Sequence, residues 1–130
     1  MFPKIKSISQ FFVVLLIVSV AITTKAEAQG LQDRLSEAAK AYKQGDYIGS
    51  QSIFARVTEK FGRRAPMLYG PKFGLVYYRK GLCELKLAGM AKRSKQAADA
   101  QKWFEAAASS FDACYTKFPT GAPNMPPTIN

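Results

Sequence analysis

The sequence predicts an all-α fold, in which antiparallel helix pairs follow an N-terminal leader. Beyond residue 30, apolar side chains recur at steps of three and four, which places them on one face of a helix. Glycine and proline interrupt this pattern at intervals, and no segment has the strict apolar–polar alternation of a half-buried strand. Together these observations predict about four helices in two pairs.

Residues 1–28 have the pattern of a secretory signal peptide. Lys4 and Lys6 precede the apolar run FFVVLLIVSVAI, and Ala26 and Ala28 give the small-x-small pattern before a cleavage point. The run has 12 residues, fewer than the roughly 20 of a membrane-spanning helix. We therefore expect export to the periplasm or cell envelope. The alternative is an uncleaved N-terminal segment that anchors the protein to the membrane.

Two apolar stripes predict the first helix pair. The first stripe consists of Leu31, Leu35, Ala38 and Tyr42. The second consists of Tyr47, Ser50, Phe54, Val57 and Phe61. Gly45 lies between the stripes, and we expect it to end the first helix in a left-handed conformation. Asp46 is then positioned to cap the second helix.

A connection follows the second helix and leads to the third. Gly62 and Pro66 are expected to end the second helix, with a loop that runs to Gly70. Pro71 is suited to the first position of a helix, where its missing N–H costs nothing.

The second pair is predicted from two further stripes. The third stripe consists of Leu75, Tyr78, Leu82 and Leu85. The last consists of Phe104, Ala107, Phe111, Cys114 and Phe118, and Pro119 closes it. Gly89 predicts the turn between these helices. Residues 90–102 hold helix formers and no proline, so we expect them to lengthen the second pair rather than form a loose loop.

The chain also repeats itself. Residues 52–66 align without a gap on residues 109–123, at an offset of 57, with six identities in 15 positions. The identical pairs are Ser52/Ser109, Phe54/Phe111, Lys60/Lys117, Phe61/Phe118, Ala65/Ala122 and Pro66/Pro123. Matched phenylalanines and a matched proline favour a repeated helical unit over chance.

The stretch AYKQGDYIGSQSIF resembles the tetratricopeptide repeat, a helix pair that turns at a Gly-(Asp/Asn)-Tyr corner. Ser50 stands at the family's small-residue position and Phe54 follows at the matching spacing. The second copy matches at Gly81 and, in its last helix, at four positions. These are Ala107, Phe111, Cys114 and Pro119. The family period is about 34 residues, so the offset of 57 departs from it, with the excess in the connecting loop and in residues 90–102.

On this resemblance, residues 29–119 form a repeat domain and residues 120–130 are a proline-rich tail or a linker to a further repeat. The family binds peptides in a groove lined by the first helix of each pair. By position, that groove holds Leu35, Tyr42, Lys43, Tyr78, Leu82 and Lys86. The resemblance therefore implies an acidic or C-terminal peptide as partner. The alternative architecture is a self-contained four-helix bundle with a frayed tail.

Charge and composition narrow the function further. The formal net charge is +10, which suggests an acidic partner, and export disfavours nucleic acid. Lys92, Arg93 and Lys95 form a basic patch that is either a contact for cell wall or anionic lipid or a solvated face. The chain contains no histidine, which removes the usual general base and zinc ligand. We expect no catalytic, metal-binding or cofactor-binding residue and no small-molecule substrate.

Cys83 and Cys114 are the two cysteines, one in each helix of the second pair. An oxidising compartment permits a disulfide between them. Cys114 lies at a small-residue core position and Cys83 lies next to the close helix crossing, which also suits two buried free thiols, because a buried free cysteine behaves as a small hydrophobe.

The sequence therefore favours an exported, non-enzymatic scaffold that mediates protein–protein interaction in the cell envelope. One alternative is a basic module that binds cell wall or an anionic membrane surface. Another is the N-terminal arm of a longer enzyme.

Overall fold

The structure is a computed structural model, and it describes residues 27–123. The described chain divides into two units between residues 33 and 34, and residues 34–123 belong to the second of them. Within the described residues the structure is helical throughout and contains no strand, which confirms the predicted all-α class. The expected signal peptide, apart from its last two residues, lies outside the described residues, as does the tail from residue 124. Among residues 27–123, no helix is long and apolar enough to cross a membrane.

Five α-helices and one short 3₁₀ turn make up the described chain. Residues 27–43 form α1, and the remaining elements are α2 (Tyr47–Phe61), α3 (Ala65–Leu68), the 3₁₀ turn Pro71–Phe73, α4 (Gly74–Arg93) and α5 (Ala97–Lys117). Helix α4 packs against both α2 and α5. The pairs α1/α2 and α4/α5 are thus joined by the connection that contains α3, and their packing is consistent with a helical repeat.

The corner between α1 and α2 is the one the sequence predicts. Gly45 has a φ of 81°, in the left-handed region that glycine adopts without a side-chain clash. Asp46 caps α2, because its Oδ1 accepts a hydrogen bond of 2.9 Å from the Gly49 N–H.

The corner of the second pair differs from the prediction. Helix α4 continues through Gly89 to Arg93, so the predicted turn at Gly89 is wrong. The chain turns at residues 94–96 instead, where Lys95 takes a φ of 60°. The expected lengthening is confirmed, since residues 90–93 extend α4 and residues 97–102 form the first turns of α5.

The two corners have the same backbone hydrogen bonds at an offset of 50 residues. The N–H groups of residues 44, 45, 46 and 50 donate to the carbonyl groups of residues 40, 42, 41 and 46, at 2.9–3.1 Å. The N–H groups of residues 94, 95, 96 and 100 donate to residues 90, 92, 91 and 96 over the same range. Lys95 is therefore the structural counterpart of Gly45. The two helix pairs are thus related by an offset of 50 residues at their corners and of 57 residues at the ends of α2 and α5. The difference is seven residues, or about two helical turns, so the same side of the helix stays buried.

The core follows the predicted stripes in α2 and α5, apart from the half-buried Tyr47 and Phe104, but not the stripe in α4. The buried residues of these two helices include Ser50, Phe54, Val57, Phe61, Ala107, Phe111 and Cys114, and Phe118 is buried just after α5. The predicted stripe of α4, from Leu75 to Leu85, is only half-buried. Because α4 packs on two helices, its buried residues lie on two sides, and they include Val76, Cys83, Glu84 and Leu87.

Candidate functional site

A cleft between α1 and α4 contains three of the six residues that the sequence assigned to a peptide groove. It has a volume of about 390 Å³. We call it the α1–α4 cleft, and its lining consists of Ala39, Tyr42, Lys43, Phe54, Arg79 and Leu82. Phe54 of α2 closes its floor and is only 2% exposed.

Tyr42 lines the α1–α4 cleft and packs against a neighbouring aromatic ring. Its ring packs edge-on against that of Tyr47, with centroids 5.2 Å apart. Burial raises the pKa of the Tyr42 phenol, and the nearby Cys83 and Tyr47 raise it further. The side chain is therefore a neutral phenol at physiological pH, with an apolar ring and one hydrogen-bonding hydroxyl.

Two cations border this apolar floor. Lys43 lies at the end of α1 and Arg79 lies on α4, and both are exposed. The six lining residues include no acid, so the α1–α4 cleft combines an apolar floor with a cationic border. Such a surface suits an apolar side chain that is flanked by a carboxylate, because guanidinium groups bind carboxylates with two parallel hydrogen bonds.

The other three predicted groove residues lie elsewhere. Leu35 is half-buried on α1, and Lys86 is exposed on α4, and neither lines the α1–α4 cleft. Tyr78 faces α5, where its ring packs edge-on against Phe111 at 5.4 Å. Position in the repeat therefore predicts correctly that Tyr42, Lys43 and Leu82 lie together. It does not predict Arg79, which lies three residues before Leu82 on the same helix face.

A buried polar cluster beside the α1–α4 cleft was also missed. It consists of Gln51, Lys80, Glu84 and Ser110. Glu84 is 1% exposed and pairs with the Lys80 Nζ at 2.9 Å. Gln51 Nε2 donates to Glu84 Oε2 at 3.1 Å, and the Ser110 hydroxyl donates to Glu84 Oε1. The sequence feature that indicates this cluster is a lysine and a glutamate four residues apart in an apolar helix, Lys80 and Glu84.

This buried polar cluster connects α2, α4 and α5, and its contacts are those of a structural element that stabilises their packing. Lys80 Nζ lies 3.0 Å from Ser110 Oγ, and a serine beside a lysine resembles one known type of nucleophile pair. Ser110 is only 3% exposed, however, and its proton is already committed to Glu84. Its hydroxyl is therefore not presented to a substrate that arrives from solvent.

The two cysteines are free and buried, so the structure contains the thiol alternative and not the disulfide. Cys83 faces α2, where its thiol donates to the Ser50 hydroxyl at 3.4 Å. Cys114 lies on α5 instead, close to the backbone of Tyr78 on α4. Burial raises the pKa of both thiols. Because the sulfur atoms have different partners on different helices, both act as small core residues.

The predicted basic patch lies at the second corner. Lys92, Arg93 and Lys95 are all exposed at the end of α4 and the turn that follows it. Met90, one turn earlier, is 45% exposed. Among residues 27–123, no three histidine, cysteine, aspartate or glutamate side chains are grouped so that they could hold a metal ion.

Comparison of the chain with protein-family models, curated proteins and solved structures finds no match in any of the three.

Proposed function

We propose that this protein is a non-enzymatic scaffold of tetratricopeptide type, which binds an acidic peptide segment of a partner protein in the α1–α4 cleft. The observation that supports this proposal is the arrangement of Lys43 and Arg79 on either side of an apolar floor that is formed by Phe54 and Leu82. The resemblance at the Gly45 corner supports it independently.

The chemistry of the α1–α4 cleft favours a peptide over a small metabolite. Its volume of about 390 Å³ is at the low end for small-molecule pockets. It therefore accommodates one apolar side chain of an extended segment, with the rest of that segment outside. A carboxylate next to this side chain, from an acidic residue or from a chain terminus, would meet Lys43 or Arg79. The net charge of +10 would speed encounter with such a partner.

Binding is tested with fluorescent peptides that end in an acidic residue followed by leucine, and with amidated peptides in which lysine replaces the acid. Fluorescence anisotropy gives the dissociation constant. We expect Arg79→Gln to weaken binding of the acidic peptide roughly tenfold, as for a charge that is partly desolvated in the complex, and Lys43→Gln to weaken it less. Higher salt should weaken binding further, because screening reduces the attraction.

Lys72→Gln is the matched control, because Lys72 is also exposed but lies in the connection before α4, outside the α1–α4 cleft. It removes the same charge and should leave the dissociation constant unchanged. Equal affinity for the acidic and the lysine peptides, or equal losses in Arg79→Gln and Lys72→Gln, would contradict the assignment of the α1–α4 cleft.

We also propose export to the periplasm or cell envelope. The support is the basic start, the apolar run and the Ala26/Ala28 pattern of the sequence. N-terminal sequencing of the protein after expression in a bacterial host that secretes it should yield a chain that begins at Gln29. An intact N-terminus on a membrane-bound protein would favour the anchored alternative instead.

A further inference from the structure

The face that α2 presents to α4 has a counterpart on α5. The matched corners relate the two helix pairs by an offset of 50, so Phe104 corresponds to Phe54 and Gln101 corresponds to Gln51. In the first pair this face is covered, because Ser50 bonds to Cys83, Gln51 bonds to Glu84 and Phe54 closes the α1–α4 cleft.

In the second pair the corresponding face is an open groove of about 720 Å³. We call it the α5 groove, and its lining consists of Lys92, Lys95, Ala97, Ala100, Gln101, Phe104, Glu105 and Ala108. At the same offset, these positions correspond to residues 42, 45, 47, 50, 51, 54, 55 and 58 of the first pair. Phe54 is 2% exposed beneath α4, whereas Phe104 is only half-buried.

The hydrogen bonds of Gln51 and Gln101 differ between the covered face and the α5 groove. Gln51 donates to Glu84 on the next helix, at 3.1 Å. Gln101 has no following helix among the described residues, and it donates to Glu105 in its own helix, also at 3.1 Å. Glutamine at this repeat position thus donates to the next helix where the face is covered, and to its own helix where the face is open. A helix in the place of α4 would restore the forward contact.

We propose that the α5 groove binds an amphipathic α-helix of a partner protein, seated as α4 is seated on α2, with acidic residues along the border of its apolar face. The apolar side chains of that helix would cover Phe104, Ala97 and Ala108. A carboxylate in the position of Glu84 would accept from Gln101.

Charge selects the partner helix. Lys92 and Lys95 stand at the border of the α5 groove, where the first pair has Tyr42 and Gly45. With these two lysines against the single acid Glu105, the lining has a net positive charge, whereas the corresponding positions of the first pair include no charged residue. The net charge of +10 also disfavours a second copy of this chain as the occupant, because two such copies repel each other. This inference concerns a different surface from the α1–α4 cleft and does not depend on the proposed function.

The test uses two designed amphipathic peptides of about five helical turns. They share one leucine face and differ only in the border residues, which are glutamate in one and lysine in the other. Fluorescence anisotropy with the full chain should detect binding of the glutamate peptide and at least tenfold weaker binding of the lysine peptide. Phe104→Ala should weaken the glutamate peptide roughly tenfold, as expected for a central aromatic contact.

Ala108→Gln is a second variant, which fills the groove from an exposed position and leaves the core untouched. It should also weaken binding roughly tenfold, and circular dichroism should show unchanged helix content. Met67→Ala is the control, because Met67 is 89% exposed on α3 and lies outside the α5 groove. Lys72→Gln removes an exposed charge outside both the α5 groove and the α1–α4 cleft, and it should likewise leave binding of the glutamate peptide unchanged.

Three results would overturn the proposal. Binding of the glutamate peptide could be absent, or could be unchanged by both groove variants. Sedimentation equilibrium could show self-association that Phe104→Ala abolishes, which would make a second copy the occupant. Phosphatidylcholine vesicles that contain phosphatidylserine could bind the chain through Lys92 and Lys95 while the peptide does not, which would make an anionic surface the occupant.

Discussion

The two helix corners have the same backbone hydrogen bonds but are formed by different residues. The two helix pairs also differ, because α4 covers one face of the first pair and the corresponding face of the second pair is the α5 groove. Gly45 and Asp46 form the first corner, where glycine tolerates the left-handed conformation and aspartate caps α2. Lys95 and Gln96 form the second, where a lysine is in the left-handed region and Gln96 makes no capping hydrogen bond with its side chain. The second corner is therefore held by its backbone hydrogen bonds and by helix packing, against local preference.

The same comparison extends to the faces beside the corners. The first pair is covered by α4 through a buried polar cluster, whereas the α5 groove remains open. Among residues 27–123, a face of this kind thus occurs twice, once covered by α4 and once open in the α5 groove.

The largest expected effect follows from removal of Glu84, which holds the filled face together. Glu84→Ala leaves Lys80, Gln51 and Ser110 without their shared carboxylate. Removal of one partner of a buried pair usually costs 3–5 kcal/mol, and the Lys80 side chain is 19% exposed, so we expect a loss of about 2–3 kcal/mol in the free energy of unfolding. Urea denaturation measures it.

Glu105→Ala is the matched change on the open face, since Glu105 bonds to Gln101 as Glu84 bonds to Gln51. Both partners are exposed there, so the loss should stay within about 0.5 kcal/mol. Equal losses in the two variants would show that the buried polar cluster does not distinguish the two faces.

A smaller effect is expected from the close approach of α4 and α5. A Cβ on Gly81 would lie 2.7 Å from the Phe111 ring, which is itself buried and packed against Tyr78. Because the ring has little room to move, Gly81→Ala should lower the free energy of unfolding by about 1–2 kcal/mol.

Gly89→Ala, in the same helix, should have the opposite sign. A Cβ there has no atom nearer than 3.9 Å, and Gly89 is within α4. Alanine should stabilise the helix by about 0.5–1 kcal/mol. A destabilised Gly89→Ala variant would instead indicate that the chain turns at Gly89, as the sequence alone predicts.

This contrast shows which parts of the fold could be predicted from the sequence. The stripes of α2 and α5 were predictable because each of these helices buries one main face. Helix α4 was less predictable, since it is covered on two sides and its buried residues do not follow one stripe. The turn at Gly45 was predictable because Asp46 and Tyr47, which follow it, match the residues expected at a turn between paired helices.

The second corner carried no such local signal. Gly89 was the only glycine between the last two stripes, yet it lies within α4, while the lysine at position 95 takes the left-handed conformation. Local preference was overridden there by the pairing of α4 with α5, which no short stretch of sequence contains. The site was predictable to the same extent: Tyr42, Lys43 and Leu82 came from position in the repeat, whereas Arg79 and the Glu84 cluster required the packing of three helices.

An exchange of the two corner residues tests this view of the corners. Gly45→Ala places a Cβ in a left-handed position and should cost about 1 kcal/mol. Lys95→Gly removes the same strain, and it should gain about 0.5 kcal/mol after the larger entropy of glycine in the unfolded chain is subtracted. Thermal unfolding of the two variants against the parent chain gives both signs. A loss in Lys95→Gly would mean that the lysine side chain contributes more to the corner than its backbone strain costs.

The smallest expected effect is a pH dependence that originates in the two buried thiols. Burial raises the pKa of Cys83 and Cys114, so each thiol holds its proton more tightly in the folded chain than in the unfolded chain. The stability gained in this way is complete below about pH 9, the region of an unperturbed thiol, and it is lost as pH rises through the folded pKa. The free energy of unfolding should therefore decline above about pH 9.

Cys83→Ala and Cys114→Ala should each reduce that decline, whatever their effect at neutral pH, because each removes one of the groups that titrate. Tyr42 and Tyr77 also have raised pKa values from burial, so the decline that remains should shift to higher pH rather than vanish. An unchanged decline in both cysteine variants would assign the effect to the tyrosines alone. In that case the thiols beside α2 and Tyr78 would lose their protons as readily in the folded chain as in the unfolded one. That is incompatible with side chains that are 0% exposed, because burial raises both pKa values and, at Cys83, outweighs the opposite effect of Lys80.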